Sequence, residues 1–262
     1  MEKKIKSEGK CLFCGKMFSK AGINRHLSTH LEKIAQSGKA GTSFLVKVET
    51  DKRWGATPYF LSLWVDGGAT LKNIDQFLRD IWLECCGHLS AFRNPQRKSF
   101  VGENFLEAMK LIEKGKIKKY EKLMEEDDDE IPMSRKAKEV LDKGLALEYE
   151  YDFGSSTELT LTVIDKYAVK TDPKIVLLSR NEPLPIMCAM CGKVPATQIC
   201  TVCMDEEDAE FCDQCAQKHA ETCSDFKDYA SLPVVNSPRM GICAYDGGII
   251  DTERDGVFVL KE

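Results

Sequence analysis

The chain has 262 residues, of which 43% are hydrophobic and 30% are charged, and its formal net charge is -5. This composition fits a folded protein with one sizeable core and one or two small modules, and it excludes collagen-like and other fibrous classes. No run approaches the roughly 18 apolar residues that a membrane span needs, and the first ten residues hold no apolar signal segment. We therefore expect a cytoplasmic protein without membrane contacts.

Cysteine is the most informative residue type. The chain holds twelve cysteines, and most of them form C-x2-C pairs near its two ends. In a reducing compartment, paired cysteines with nearby histidines indicate metal ligands rather than disulfides.

The charge is unevenly distributed. Residues 1–40 hold nine Lys/Arg against three Glu, whereas residues 188–223 hold two lysines against seven acidic side chains. The N-terminal segment is thus the part suited to a polyanion such as nucleic acid, and phosphate backbones should avoid the acidic segment.

The first motif lies in residues 10–31, KCLFCGKMFSKAGINRHLSTHL. Two cysteines separated by two residues precede two histidines that share one face of a helix, which is a tetrahedral set for Zn2+. The predicted ligands are Cys11, Cys14, His26 and His30. The motif resembles a C2H2 zinc finger, although eleven residues rather than the usual twelve separate the inner cysteine from the first histidine.

Three basic residues of this finger, Lys16, Lys20 and Arg25, are candidates for phosphate contacts. One finger covers about three base pairs, so binding to nucleic acid through it alone would be weak. A finger that is only structural, or that docks a protein, remains an alternative.

The central segment alternates between strand and helix patterns. FLVKVE and YFLSLWV read as strands. Thr70 can cap a helix that has apolar residues at spacings of three and four, up to Cys85, and that ends at Gly87. Further helices are predicted within 103–124 and from Ser134, and further strands at HLSAF, KSFVG, LALEYEYD, TELTLTVI and KIVLLSR. Without strict strand–helix–strand alternation, this order predicts an α+β domain.

Two stretches of the central segment resemble the plasmid pRiA4b ORF-3-like family: TLKNIDQFLRDIWLECCGHLSAF at 70–92 and YEYDFGSSTELTLTVI at 149–164. In the second, Ser156, Thr157 and Glu158 stand where the family often has an aromatic residue and a histidine. The resemblance implies a mixed sheet with helices packed on it, in proteins often carried by plasmids and insertion elements. It implies no particular reaction, and any activity that depends on the missing histidine would be absent.

Residues 188–223 hold eight more candidate ligands with the spacing C-x2-C-x8-C-x2-C-x8-C-x2-C-x3-H-x3-C. They fill two tetrahedral zinc sites, and so short a segment has too little core to fold without them. Its short loops favour an interleaved cross-brace that looks like a MYND or B-box type finger, families that mostly bind proteins. The predicted ligands of one ion are Cys188, Cys191, Cys212 and Cys215, and those of the other are Cys200, Cys203, His219 and Cys223.

Cys85, Cys86 and Cys243 remain unassigned. Core packing is the favoured interpretation of Cys85 and Cys86, while a further metal site and a nucleophilic Cys86 activated by His88 are alternatives.

Together the patterns predict a C2H2-type finger at 1–40, an α+β domain at 43–182, a two-zinc cross-brace at 186–224 and a tail at 225–262. The leading hypothesis is a non-enzymatic adaptor with three Zn2+ ions, which contacts nucleic acid through the finger and a protein through the acidic cross-brace, in a setting of plasmids or mobile elements. The alternatives are an enzyme of DNA rearrangement or nucleic-acid processing with its site near Cys86 and His88, and a protein-only scaffold.

Overall fold

A computed structural model of the chain describes residues 7–50, 58–95, 105–126, 130–206 and 208–254. The strands are β1 (Glu8–Lys10), β2 (Met17–Ser19), β3 (Ala40–Thr50), β4 (Phe60–Asp66), β5 (Ser90–Arg93), β6 (Ala146–Tyr151), β7 (Thr157–Val169), β8 (Ile175–Arg180), β9 (Gln198–Cys200), β10 (Glu210–Phe211) and β11 (Ser231–Pro233). The helices are α1 (Ile23–Ser37), α2 (Leu71–Leu78), α3 (Phe105–Glu113), α4 (Ile117–Glu126), α5 (Ala137–Val140) and α6 (Asp213–Thr222). In the described part of the chain, no helix is long and apolar enough to cross a membrane.

The central sheet has six strands in the order β5-β6-β7-β3-β4-β8. The α+β class predicted from the sequence is therefore confirmed. The described strands pair antiparallel throughout rather than as a mixed sheet. Short connections explain this arrangement: β6 and β7 are joined by the turn at 152–156, and so tight a turn can only join antiparallel neighbours.

Both faces of this sheet are buried. Side chains at alternate positions of β3, such as Phe44 and Val46, join Trp82 and the apolar face of α2 in one core cluster. Leu45 of the same strand and Trp64 of β4 point the other way and join a second cluster that contains α1. Alternation along a strand places successive side chains on opposite faces, so two different helices are needed to cover them.

The second covering helix, α1, carries the two histidines of the predicted finger. Its stripe of Ile23, Leu27 and Leu31 is fully buried among side chains of the sheet. Next to this stripe, the Ser62 hydroxyl of β4 donates a hydrogen bond of 2.8 Å to the Asn24 side chain. The finger helix is thus a layer of the central fold rather than a tethered element.

An ion pair fastens the start of this helix to β3. Lys20 Nζ lies 2.8 Å from a carboxylate oxygen of Glu49, which also pairs with Lys47. Burial opposes ionisation of Glu49, but the hydrogen bonds from both lysines outweigh it and lower the pKa of this carboxyl.

Several element bounds differ from the sequence prediction. The helix capped by Thr70 ends at Leu78 and continues as a π-turn over Arg79–Leu83, so Cys85 follows the helical segment. The helix predicted within 103–124 is two helices, separated at Gly115, whose φ of 64° ends the first of them. The helix predicted from Ser134 is only the four residues of α5. The strand predicted at 98–102 lies outside the described residues.

The C-terminal tail packs back onto the rest of the chain. Strand β11 pairs with β9 of the cysteine-rich segment. Beyond it, the side-chain amide of Asn181 donates a 2.7 Å hydrogen bond to Asn236, and the Ser237 hydroxyl donates a 2.7 Å bond to the carbonyl of Trp82. The tail therefore connects the cysteine-rich segment to the central sheet.

Replacing Leu27 by Ala should lower the free energy of unfolding by about 2–5 kcal/mol, because it leaves a cavity between α1 and the sheet. Lys33→Ala, on the exposed side of the same helix, is the matched control and should change it by no more than about 0.5 kcal/mol. Denaturant unfolding of the zinc-loaded protein, followed by tryptophan fluorescence, measures both. Equal effects of the two variants would show that α1 does not cover the sheet in solution.

Candidate metal centres

Cysteine and histidine side chains converge in four groups among the described residues. In each group the four donor atoms lie within 4.8 Å of one another. The groups are Cys11, Cys14, His26 and His30; Cys188, Cys191, Cys212 and Cys215; Cys200, Cys203, His219 and Cys223; and Cys85, Cys86, His88 and Cys243. Thiolates and imidazoles in sets of four are typical of tetrahedral zinc.

The first group forms between the β1–β2 hairpin and α1. Gly15 has a φ of 72° and its N–H donates a 2.8 Å hydrogen bond to the carbonyl of Cys11, which turns the chain so that both cysteines face the helix. His26 Nε2 lies 3.2 Å from Cys14 Sγ and 3.1 Å from His30 Nε2. Burial, followed by the charges of His30 and Lys16, lowers the pKa of His26 and so favours the neutral imidazole that a metal requires.

The second and third groups interleave along the chain. Each draws a C-x2-C pair from one turn and two ligands from or beside α6. The third group includes His219, whose ring stacks on Phe211 with centroids 4.3 Å apart and meets Phe226 edge-on. The cysteines form a large part of the buried cluster here, together with a few small and aromatic side chains such as Phe211 and Phe226.

Crowding of thiols alters their ionisation in both groups. Burial and the neighbouring thiols raise the pKa of Cys203 and of Cys215 to about 12. Burial also opposes ionisation of Cys188, but backbone N–H groups, those of Cys212 and Cys191 foremost, lower its pKa to about 6. Several thiolates so close together repel one another, and a divalent cation would remove that repulsion.

The fourth group unites the three cysteines left unassigned by the sequence. Core packing, the favoured interpretation, holds only for Cys85, which is partly buried against the main core. Cys86 and Cys243 are exposed and lie together with His88. The sequence signal that could have predicted this group was the C-C-x-H spacing of residues 85–88, combined with one further cysteine outside the C-x2-C pairs.

The geometry bears on the hypothesis of a nucleophilic cysteine. Cys86 Sγ is 2.9 Å from His88 Nε2, which is within reach of a general base. A hydrogen bond with Cys243, partial desolvation and the Cys85 thiol nevertheless raise the pKa of Cys86 to about 12. Reactive cysteines need a lowered pKa, so these contacts do not favour a nucleophile at Cys86.

The three residues predicted to contact nucleic acid have different environments. Lys16 and Arg25 are exposed, whereas Lys20 is half-buried and paired with Glu49. Nucleic-acid contact through these three residues stays a prediction.

No family model and no curated protein matches the chain. Among solved structures, the chain is similar to a protein of unknown function, MM3350, from Methanosarcina mazei Go1, with a TM-score of 0.35 and 12% sequence identity over 54% of this chain and 68% of that one. A similarity of this size assigns neither a shared fold nor a function. The resemblance to the pRiA4b ORF-3-like family stays a prediction from the sequence.

The interleaved pairing predicts how zinc is lost from double variants. Cys215 and His219 lie one turn apart on α6 but belong to different groups, so replacing both, by Ser and Ala, should remove two ions. Replacing Cys188 and Cys215 by Ser should remove only one, because both belong to the same group. Elemental analysis of protein purified without chelator measures these losses.

Gln217→Ala, at an exposed position of the same helix, is the control and should retain every ion. The alternative is that the first four ligands in the sequence bind one ion and the last four bind the other. The Cys215/His219 variant would then lose one ion and the Cys188/Cys215 variant would lose two.

Proposed function

We propose that the protein is a zinc-dependent adaptor that recruits a protein partner through its acidic cysteine-rich module, residues 186–224. The observation that carries the proposal is the interleaved pair of Cys/His groups in a short segment whose buried cluster consists largely of these ligands. A module built in this way presents a surface whose shape is set by metal rather than by a core.

The chemistry of the ligands favours zinc. Sets of thiolate and imidazole ligands in tetrahedral arrangement suit Zn2+, and four protein ligands leave no open position for a substrate. The finger and the two groups of the module would together hold three ions through nine thiolates and three imidazoles. These ions would be structural, which agrees with an adaptor rather than a metalloenzyme.

The surface of the module suits a basic partner with apolar anchor residues. Asp205, Glu206 and Asp208 are exposed in one loop. Each of the first two cysteine turns also exposes an apolar side chain, Met190 at 49% and Val202 at 43%. Both zinc sites would add negative charge, since their thiolates outnumber the charge of the ion.

Nucleic-acid binding by the finger has less support. In fingers that read DNA, the start of the helix enters the major groove. Here that end lies against the sheet, where Asn24 bonds to Ser62 and Lys20 pairs with Glu49. Lys16 and Arg25 remain available for weak contacts with phosphates. A setting of plasmids or mobile elements rests on the family resemblance of the central domain.

Neutralising the acidic loop should abolish partner binding. The test variant is Asp205→Asn, Glu206→Gln and Asp208→Asn in the full-length chain. The matched control, Glu113→Gln, Glu121→Gln and Asp172→Asn, makes the same change in net charge at exposed positions elsewhere. Quantitative mass spectrometry of proteins captured from lysate compares the two, with and without nuclease treatment.

We expect at least a tenfold loss of the captured partner in the acidic-loop variant, no loss in the control and no effect of nuclease. Binding should also weaken as salt increases, because exposed charges are screened. A partner that is lost on nuclease treatment would contradict the proposal and return attention to the finger and nucleic acid.

A further inference from the structure

We infer that Cys85, Cys86, His88 and Cys243 form a fourth zinc site, which fastens the C-terminal tail to the central domain. The site is independent of the three predicted from the sequence and of the proposed adaptor function. Three of its ligands follow the π-turn after α2, and the fourth comes from the tail, 157 residues beyond Cys86.

The spacing of the donor atoms fits one tetrahedral ion. Cys85 Sγ lies 3.8 Å from Cys86 Sγ, and Cys86 Sγ lies 3.6 Å from Cys243 Sγ. With zinc–sulfur bonds of about 2.3 Å, two sulfurs of a tetrahedron are about 3.8 Å apart. His88 Nε2 points at the same centre, 3.2 Å from Cys243 Sγ. Side chains that merely meet by packing have no reason to converge in this way from distant segments.

A buried carboxylate orients the histidine. Asp152, which is 6% exposed, has one carboxylate oxygen 3.4 Å from His88 Nδ1. This contact holds the proton on Nδ1 and leaves Nε2 free as a metal ligand, which is the usual arrangement around zinc. The carboxylate itself is held by the backbone N–H groups of Gly154 and Ser155.

A buried guanidinium group lies next to the sulfurs of such a site. Arg239 is fully buried; it pairs with Asp152 and places Nη2 3.6 Å from Cys85 Sγ. The Tyr151 ring lies between Arg239 and Arg79, with each guanidinium carbon 4.7 Å from the ring centroid. A set of three thiolates and one imidazole around Zn2+ is anionic, and cations next to the sulfurs stabilise it.

The tail adopts a costly backbone conformation to present its ligand. Cys243 and Ala244 have φ values of 50° and 54°, a region that non-glycine residues rarely occupy. Gly87, between two of the other ligands, has a φ of 79°, which it adopts without strain. A metal ion bound by Cys243 would stabilise this conformation, since the exposed side chain of Cys243 is not packed in an apolar core.

Metal content of the full-length protein tests the site. Protein expressed with zinc and purified in reductant without chelator should hold four ions per chain by elemental analysis. Cys243→Ser should lose one ion, and Cys86→Ser should lose the same one, so that the double variant also loses only one. Asp246→Asn, an exposed neighbour in the tail, is the matched control and should lose none.

The wild-type protein supplies a second measurement that needs no variant. Zinc-bound thiolates react slowly with N-ethylmaleimide. Chelation in denaturant removes both the ion and the contacts that raise the pKa of Cys86, so Cys86 and Cys243 should then react faster. Peptide mapping should show at least tenfold slower labelling of both cysteines in the zinc-loaded protein than after chelation.

The possible outcomes separate this site from the other three. If the wild-type protein held three ions and the Cys243→Ser protein held two, the site at Cys243 would be supported. One of the three sites predicted from the sequence would then be wrong. Equal zinc content in these two proteins would overturn the inference. Labelling of Cys243 that is as fast in the zinc-loaded protein as after chelation would also overturn it. A disulfide between Cys86 and Cys243, insensitive to chelator but opened by reductant, would overturn it too.

Discussion

Burial of the central sheet on both faces is the constraint on which the remaining structure depends. An antiparallel sheet with large apolar side chains on both faces needs a packing layer on each face, and α2 packs on only one of them. The other is α1, which is also the helix that carries His26 and His30. A metal ion bound by the finger would therefore be coupled to packing of the sheet, because the same helix carries the two histidines and covers the sheet.

Buried polar contacts help to hold the tail on the central domain. Arg239 and Asn236 are almost fully buried, and each bonds to the central domain rather than to its own segment. A buried guanidinium is tolerated only where carboxylates, carbonyls or thiolates surround it. Asp152 and Cys85 provide such groups here, so the position that Arg239 occupies in the central domain is specific for an arginine.

Sequence reasoning succeeded where the determinants are local. The α+β class follows from periodicity within single elements, and the spacing of the ligands in 10–31 and 188–223 indicates which cysteines and histidines can converge. The group that includes Cys243 was not expected, because spacing rules do not reach across 155 residues from His88. The packing of α1 against the sheet was likewise not predicted, since its partners lie on distant strands.

The position of α1 in the chain has a consequence for biosynthesis. The finger motif is complete at His30, yet the helix packs against Tyr167 and Val169 of β7, which leave the ribosome more than a hundred residues later. The apolar face of α1 stays exposed in the growing chain until the sheet has formed. A helix structured by a bound metal ion would give strand β7 a rigid surface to pack on. It would also leave the helix fewer non-native contacts to make before then.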